Sequence, residues 1–99
     1  MKEITSPQLR EMLEKKADLH LIDVREPFEH EEFNLGGQLI PLAELMEHEE
    51  ELKSLSKTGD LVLYCRSGNR SSMAQKILAA RMGIQNTMNL RGGIIMWTD

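Results

Sequence analysis

Leu61-Val62-Leu63-Tyr64-Cys65-Arg66-Ser67-Gly68-Asn69-Arg70-Ser71 runs from four apolar or aromatic positions into the chain's one cysteine and on into a loop of small residues and arginines. A short apolar run reads as a buried strand, and Met73, Ala74, Ile77, Leu78 and Met82 follow at helical spacing, with Gly83 as the terminating residue. Strand, tight loop and helix in that order form the repeating unit of a parallel α/β sheet, in which ligands bind outside the strand C-termini. Cys65 sits at such an end. There the unpaired N–H groups and positive dipole end of the helix favour thiolate over thiol, and Arg66 and Arg70 add charge nearby. Free cysteine titrates at about 8.5, and surroundings of this kind lower that to between roughly 3.5 and 7.5. The duller reading, a cysteine that packs as a small hydrophobe, leaves the flanking arginines and Gly68 without a role.

Working outward, Ser6-Pro7 reads as an N-cap and first turn, with Leu9, Met12 and Leu13 continuing a helix over about 7–16. Leu19 to Val24 suits a second buried strand whose C-terminal end delivers Asp23 and Arg25. Glu26-Pro27 makes a turn, Phe28–Phe33 a brief helix, Gly36-Gly37 a break, and Gln38-Leu39-Ile40 a minor strand closed by Pro41. Leu42, Leu45, Met46, Leu52 and Leu55 mark one or two further helices before the turn Thr58-Gly59-Asp60. A last strand is expected near Thr87–Leu90, followed by Gly92-Gly93 and the apolar tail Ile94-Ile95-Met96-Trp97. Trp97 and the methionines are expected to pack the core, because their spacing is that of apolar faces. The predicted fold is a small three-layer α/β domain over residues 1–99, with a central, mostly parallel sheet flanked by helices. No repeat, linker or internal boundary divides it.

Composition narrows the chemistry. Ninety-nine residues bury a core without needing disulfides or metals. One cysteine forms no intramolecular disulfide, and no Cys/His spacing of a zinc site is present, so no metal or cofactor is expected. His20, His30 and His48 are scattered, without the spacing of a metal site or a general base. No apolar run spans a bilayer and the N-terminus lacks a secretion signal, so a cytoplasmic, reducing location is expected. The net charge of −4 is uneven: residues 26–51 hold nine glutamates and no Lys or Arg, while the remainder carries twelve basic and seven acidic residues. That pattern excludes general nucleic-acid binding and leaves the cysteine loop attractive to small anions. The glutamates read either as solvated surface or as a docking patch for a basic partner.

Three separated segments, in order, resemble the rhodanese family: Leu21-Ile22-Asp23-Val24-Arg25-Glu26-Pro27, the loop Cys65–Ser71, and Asn89-Leu90-Arg91-Gly92-Gly93-Ile94 with Trp97. The resemblance covers nearly the whole chain. It implies a sulfurtransferase in which Cys65 carries sulfur as a persulfide, taken from a small anionic donor such as thiosulfate or from a protein donor. The acceptor would be cyanide, a thiol or a protein. Arg66, Ser67, Gly68, Asn69, Arg70 and Ser71 would bind the transferred sulfur or its donor. Glycine reaches backbone angles closed to other residues, and Asn69 tolerates left-handed geometry, which suits a tight cradle of N–H groups. Ser71 also suits a helix cap. Asp23 and Arg25 either brace the loop or touch substrate. The chain departs from the family's pattern at Asn34–Ile40, which affects the neighbouring pocket wall. Two other readings stay open: a persulfide carrier that docks on a protein partner, and a small cysteine phosphatase or arsenate reductase. Against the latter, phosphatase loops place five residues between Cys and Arg, whereas four separate Cys65 from Arg70, a ring better matched to one sulfur than to a phosphoryl group.

Overall fold

The computed structural model describes residues 2–97. Five strands, β1 (Glu3–Ile4), β2 (Leu19–Asp23), β3 (Gln38–Leu39), β4 (Asp60–Tyr64) and β5 (Thr87–Leu90), form one sheet in the order β1-β5-β4-β2-β3. Every neighbouring pair is parallel, with Asp23 opposite Tyr64 and Leu63 opposite Asn89. The central strand β4 alternates its side chains between two apolar clusters, as a strand covered on both faces must. Leu61, Leu63 and Cys65 join Ile22, Val24, Leu45, Leu52, Ala74 and Leu78 on one face. Val62 and Tyr64 join Ile4, Leu9, Met88 and Leu90 on the other. Fully burying a leucine of this kind contributes about 1.5–3 kcal/mol.

The connecting helices are α1 (Ser6–Glu14), α2 (Pro27–Glu32), α3 (Glu49–Ser56) and α4 (Asn69–Met82). The segment Leu42–His48 before α3 and the tail Ile94–Met96 are 3-10 turns. The predicted helix over 7–16 thus ends earlier, and its cap is Thr5 rather than Ser6: Thr5 and Gln8 form a reciprocal capping box. Strand β1 was not anticipated, since two residues carry no periodicity; it is held by pairing Glu3 with Asn89 and Ile4 with Leu90.

The expectation that the methionines pack the core is corrected. Met82 and Met88 do so, but Met46, Met73 and Met96 are exposed, each on a face that turns outward. Trp97 is half-buried at the edge of the second cluster, with the Arg10 guanidinium 4.1 Å from its ring centroid.

Candidate active site

The loop 65–68 links the end of β4 to the start of α4, and its backbone closes on the cysteine sulfur. Gly68 N–H donates to Cys65 Sγ at 3.1 Å and Ser71 N–H at 3.4 Å, while the Ser71 hydroxyl lies 3.4 Å from the same sulfur. Gly68 makes this closure possible by adopting φ 102°, a left-handed conformation, at the N-cap of α4. The cap position is therefore Gly68, and the expectation that Ser71 caps the helix is corrected: Ser71 lies in the first turn with its hydroxyl turned inward. Its Oγ also donates to Asn89 Oδ1 at 2.5 Å, and Asn89 Nδ2 donates to Gly68 O at 3.1 Å. A polar residue buried on a sheet strand has to find partners, and Asn89 uses both ends of its amide to tie β5 to the loop.

Cys65 is only 1% exposed. Burial alone pushes its thiol pKa up, but the Ser71 hydroxyl and the Ser71, Gly68 and Ser67 amides outweigh burial and hold it below the ordinary cysteine value. The sequence-based argument expected the helix N-terminal amides to act and added Arg66 and Arg70 to them. Arg70 does feel the thiolate's charge, yet its guanidinium forms a bidentate pair with Glu29 of α2, at 2.7 and 2.9 Å. Hydrogen bonding from Arg70 takes the Glu29 carboxyl down to about 2. Arg66 lies on the exposed side of the loop, in the wall of an open pocket of about 420 Å³.

Asp23 and Arg25 do not meet the sulfur. The Arg25 guanidinium binds Asp23 through Nε at 2.9 Å and Nη2 at 2.8 Å, the Arg25 backbone N–H adds a third bond, and Nη2 also donates to Phe33 O at 2.6 Å. His30 Nδ1 lies 2.8 Å from Asp23 Oδ2. The Asp23 carboxyl is fully buried; burial raises its pKa, but the Arg25 and His30 hydrogen bonds prevail and hold it below the usual carboxylate value. This buried trio fixes α2, and α2 carries Glu29, which in turn holds Arg70. Asp23 and Arg25 are thus connected to the loop only by way of α2, through Glu29 and Arg70. His30, whose spacing suggested neither a metal site nor a general base, joins them through Asp23.

The C-terminal turn supports the other side of the loop. Ile94 N–H donates to Cys65 O at 2.9 Å and Ile95 N–H to Arg66 O at 3.0 Å. Gly93, at φ 65°, is pressed so closely on the loop that a Cβ there would lie 2.3 Å from Arg66 O and 2.6 Å from Ser67 N. Because both obstacles are backbone, Gly93→Ala must push the loop aside. It is expected to destabilise the fold by about 1–3 kcal/mol, the usual range for overpacking, and to raise the midpoint of Cys65 ionisation, read by thiol titration against unfolding in urea.

Seven of the nine glutamates in 26–51 are exposed, as solvated surface requires, and Glu29 is the one drawn into the loop's environment. Among the described residues, no cluster of three His, Cys, Asp or Glu is placed to hold a metal ion, and no helix is long and apolar enough to cross a membrane.

A rhodanese-like domain model matches residues 5–99. The chain belongs to the rhodanese-like family. Its rhodanese-like relatives include an Allochromatium vinosum sulfurtransferase, 36% identical over 101 residues, which cover 96% of this chain and 86% of that protein. A Mycobacterium tuberculosis protein named "Probable adenylyltransferase/sulfurtransferase MoeZ" is 40% identical over 97 residues, covering 95% of this chain but 24% of the relative, so the rhodanese-like chain spans about a quarter of that protein's length. A Staphylococcus aureus rhodanese-like domain protein superposes with a TM-score of 0.83 at 29% identity, covering all of this chain and 93% of the other. Fold and family agree with the expectation raised by the three sequence segments.

Proposed function

We propose that this rhodanese-like domain is a sulfurtransferase in which Cys65 takes up sulfane sulfur as a persulfide and passes it to a thiophilic acceptor such as cyanide or a thiol. The observation that carries this reading is the convergence of two backbone amides and a hydroxyl on one sulfur whose pKa they lower. In the loading step the thiolate attacks the outer sulfur of the donor; for thiosulfate a new S–S bond forms at Cys65 as the donor S–S bond breaks and sulfite leaves. The amides that stabilise the thiolate also stabilise the anionic persulfide, without reorganisation. In the discharge step the acceptor attacks the outer sulfur and Cys65 departs as thiolate, returning to the same donors. Two displacements through a covalent intermediate give ping-pong kinetics.

The Gly68 and Ser71 amides act as donors with the Ser67 amide beside them, Asn69 starts α4 between Gly68 and Ser71, and Arg66 draws the donor anion to the opening. Arg70, held by Glu29, supplies muted positive charge. With Cys65 enclosed to 1% exposure, a single sulfur atom suits the ring better than a tetrahedral phosphoryl group, and this favours sulfur transfer over ester hydrolysis. A thiol of this kind operates in a reducing compartment, which supports a cytoplasmic site of action.

Intact mass measurement after incubation with thiosulfate tests the proposal: one added sulfur, about 32 Da, is expected, removable by cyanide and absent in Cys65→Ser. Turnover of aryl phosphates without a sulfur adduct would refute it. The muted role of Arg70 gives a further expected result. Glu29→Gln releases the guanidinium and adds one net positive charge beside a site that must accept a dianion. The kcat/KM for thiosulfate should rise by about three- to tenfold at low salt, and the gain should shrink as ionic strength approaches 1 M, where screening acts within about 3 Å.

A further inference from the structure

Asn89 and Ser71 are both buried, so their hydrogen bonds are settled among protein atoms. The direction of each bond follows from what the atoms can do. Gly68 O only accepts, and it takes the Ser72 N–H at 3.1 Å and Asn89 Nδ2 at 3.1 Å. That orients the Asn89 amide, so its Oδ1, which also only accepts, faces the Ser71 hydroxyl. A hydroxyl carries one proton. With that proton on Asn89 Oδ1, Ser71 Oγ turns a lone pair towards Cys65 Sγ, 3.4 Å away, an arrangement that suits a thiol donating its S–H and does not suit a thiolate. The Gly68 and Ser71 amides are fixed in the backbone and point at the sulfur in either state. The hydroxyl proton, by contrast, turns freely about the Cβ–Oγ bond.

Resting on the sulfurtransferase reading above, we propose that Asn89 is a positioning residue for sulfur transfer: it holds the Ser71 hydroxyl proton while Cys65 is a thiol or a persulfide, and releases it to the sulfur when Cys65 becomes a thiolate. In discharge the acceptor attacks the outer sulfur, and the S–S bond breaks with its electron pair passing to Cys65 Sγ. The Ser71 O–H then turns from Asn89 Oδ1 to the new anion, and the proton stays on oxygen throughout. In loading the thiolate pair forms the S–S bond, the charge leaves Sγ, and the hydroxyl returns to Asn89. A hydrogen bond made to the leaving thiolate but not to the inner sulfur of the persulfide lowers the barrier to discharge without tightening the binding of the acceptor. The charges on neighbouring elements are already paired: Arg70 of α4 feels the sulfur's charge but is held by Glu29 of α2, and Asp23 of β2 is held by Arg25 and His30.

Nuclear magnetic resonance reads the turn of the hydroxyl in the unsubstituted protein. The side-chain carbonyl carbon of Asn89 should shift as Cys65 ionises, with the midpoint of the thiolate absorbance, because that carbonyl loses a hydrogen bond at the same point. In Ser71→Ala the signal should stay still across the pH range in which Cys65 ionises. A signal that does not move in the wild type, or that moves equally in Ser71→Ala, overturns the proposal. The second arm is kinetic. Persulfide preloaded from thiosulfate and discharged by cyanide in a single turnover should decay about tenfold more slowly in Ser71→Ala, a smaller loss than that of a full oxyanion donor. A persulfide that forms in both proteins and discharges at equal rates also overturns it. If thiosulfate adds no sulfur to Cys65 by mass, the sulfurtransferase reading fails instead, and the carbonyl-carbon titration still decides where the hydroxyl proton goes.

Discussion

Cys65→Ser should bring sulfur transfer down by a factor on the order of 10⁴ or more while leaving the fold in place, the scale seen when a covalent nucleophile is removed. The fold survives because the serine hydroxyl occupies the sulfur's position and accepts the same Gly68 and Ser71 N–H groups, so no buried donor is left unpaired. Activity does not survive, because an alcohol stays protonated where the amides stabilise a thiolate, and because oxygen forms no persulfide. Steady-state thiocyanate formation and urea unfolding measured on the same preparation separate the two statements. A variant that retains even a tenth of wild-type turnover would place the chemistry elsewhere.

Asp23→Ala should be the most damaging substitution for stability, costing about 3–5 kcal/mol, because it leaves the Arg25 guanidinium buried without its bidentate partner. That is a large part of the 5–15 kcal/mol that holds a typical domain together. The same variant frees Phe33 O and His30 from a fixed partner, loosening α2 and with it the Glu29 clamp on Arg70. The pH dependence has a definite sign. The folded-state pKa of Asp23 is depressed, so its ionised form stabilises the native state fully above the unfolded carboxylate value of about 3.9 and loses that effect as pH falls through the folded value. The stability gap between wild type and Asp23→Ala should thus be constant near neutrality and narrow below about pH 4. A gap under 1 kcal/mol at pH 7 would show that the trio is not the brace described here.

Much of this was legible before any coordinates, and the reason lies in particular residues. The alternation of Leu61 to Cys65 and the apolar stripe through Leu78 and Met82 are local signals, and they place the sulfur at a strand-to-helix junction without further information. Gly68 announces a conformation that only the loop requires. What escaped was long-range. Glu29 and Arg70 lie 41 residues apart, and nothing in a run of nine glutamates marks which of them turns inward. His30 reaches Asp23 across a turn whose geometry depends on the Arg25 bond to Phe33 O. Asn89 did carry a signal, a polar side chain inside the buried strand Thr87–Leu90, which has to be satisfied by something; its partners, the Ser71 hydroxyl and Gly68 O, belong to another element. The overestimate of the arginines follows from the same limit, since sequence proximity to Cys65 does not reveal that Arg70 is already paired.

The claim on which the functional reading depends is that the loop holds an ionised sulfur at neutral pH. Because Cys65 is so enclosed, the direct measurement is the ultraviolet absorbance of its thiolate as a function of pH, with Cys65→Ser as the blank, rather than the rate of a bulky alkylating reagent. A titration midpoint below the free-cysteine value of about 8.5 is expected, shifting upward in Gly93→Ala, which pushes the loop amides away from the sulfur. A midpoint above 8.5, unmoved by that substitution, would mean that the sulfur is a buried thiol and not the seat of transfer.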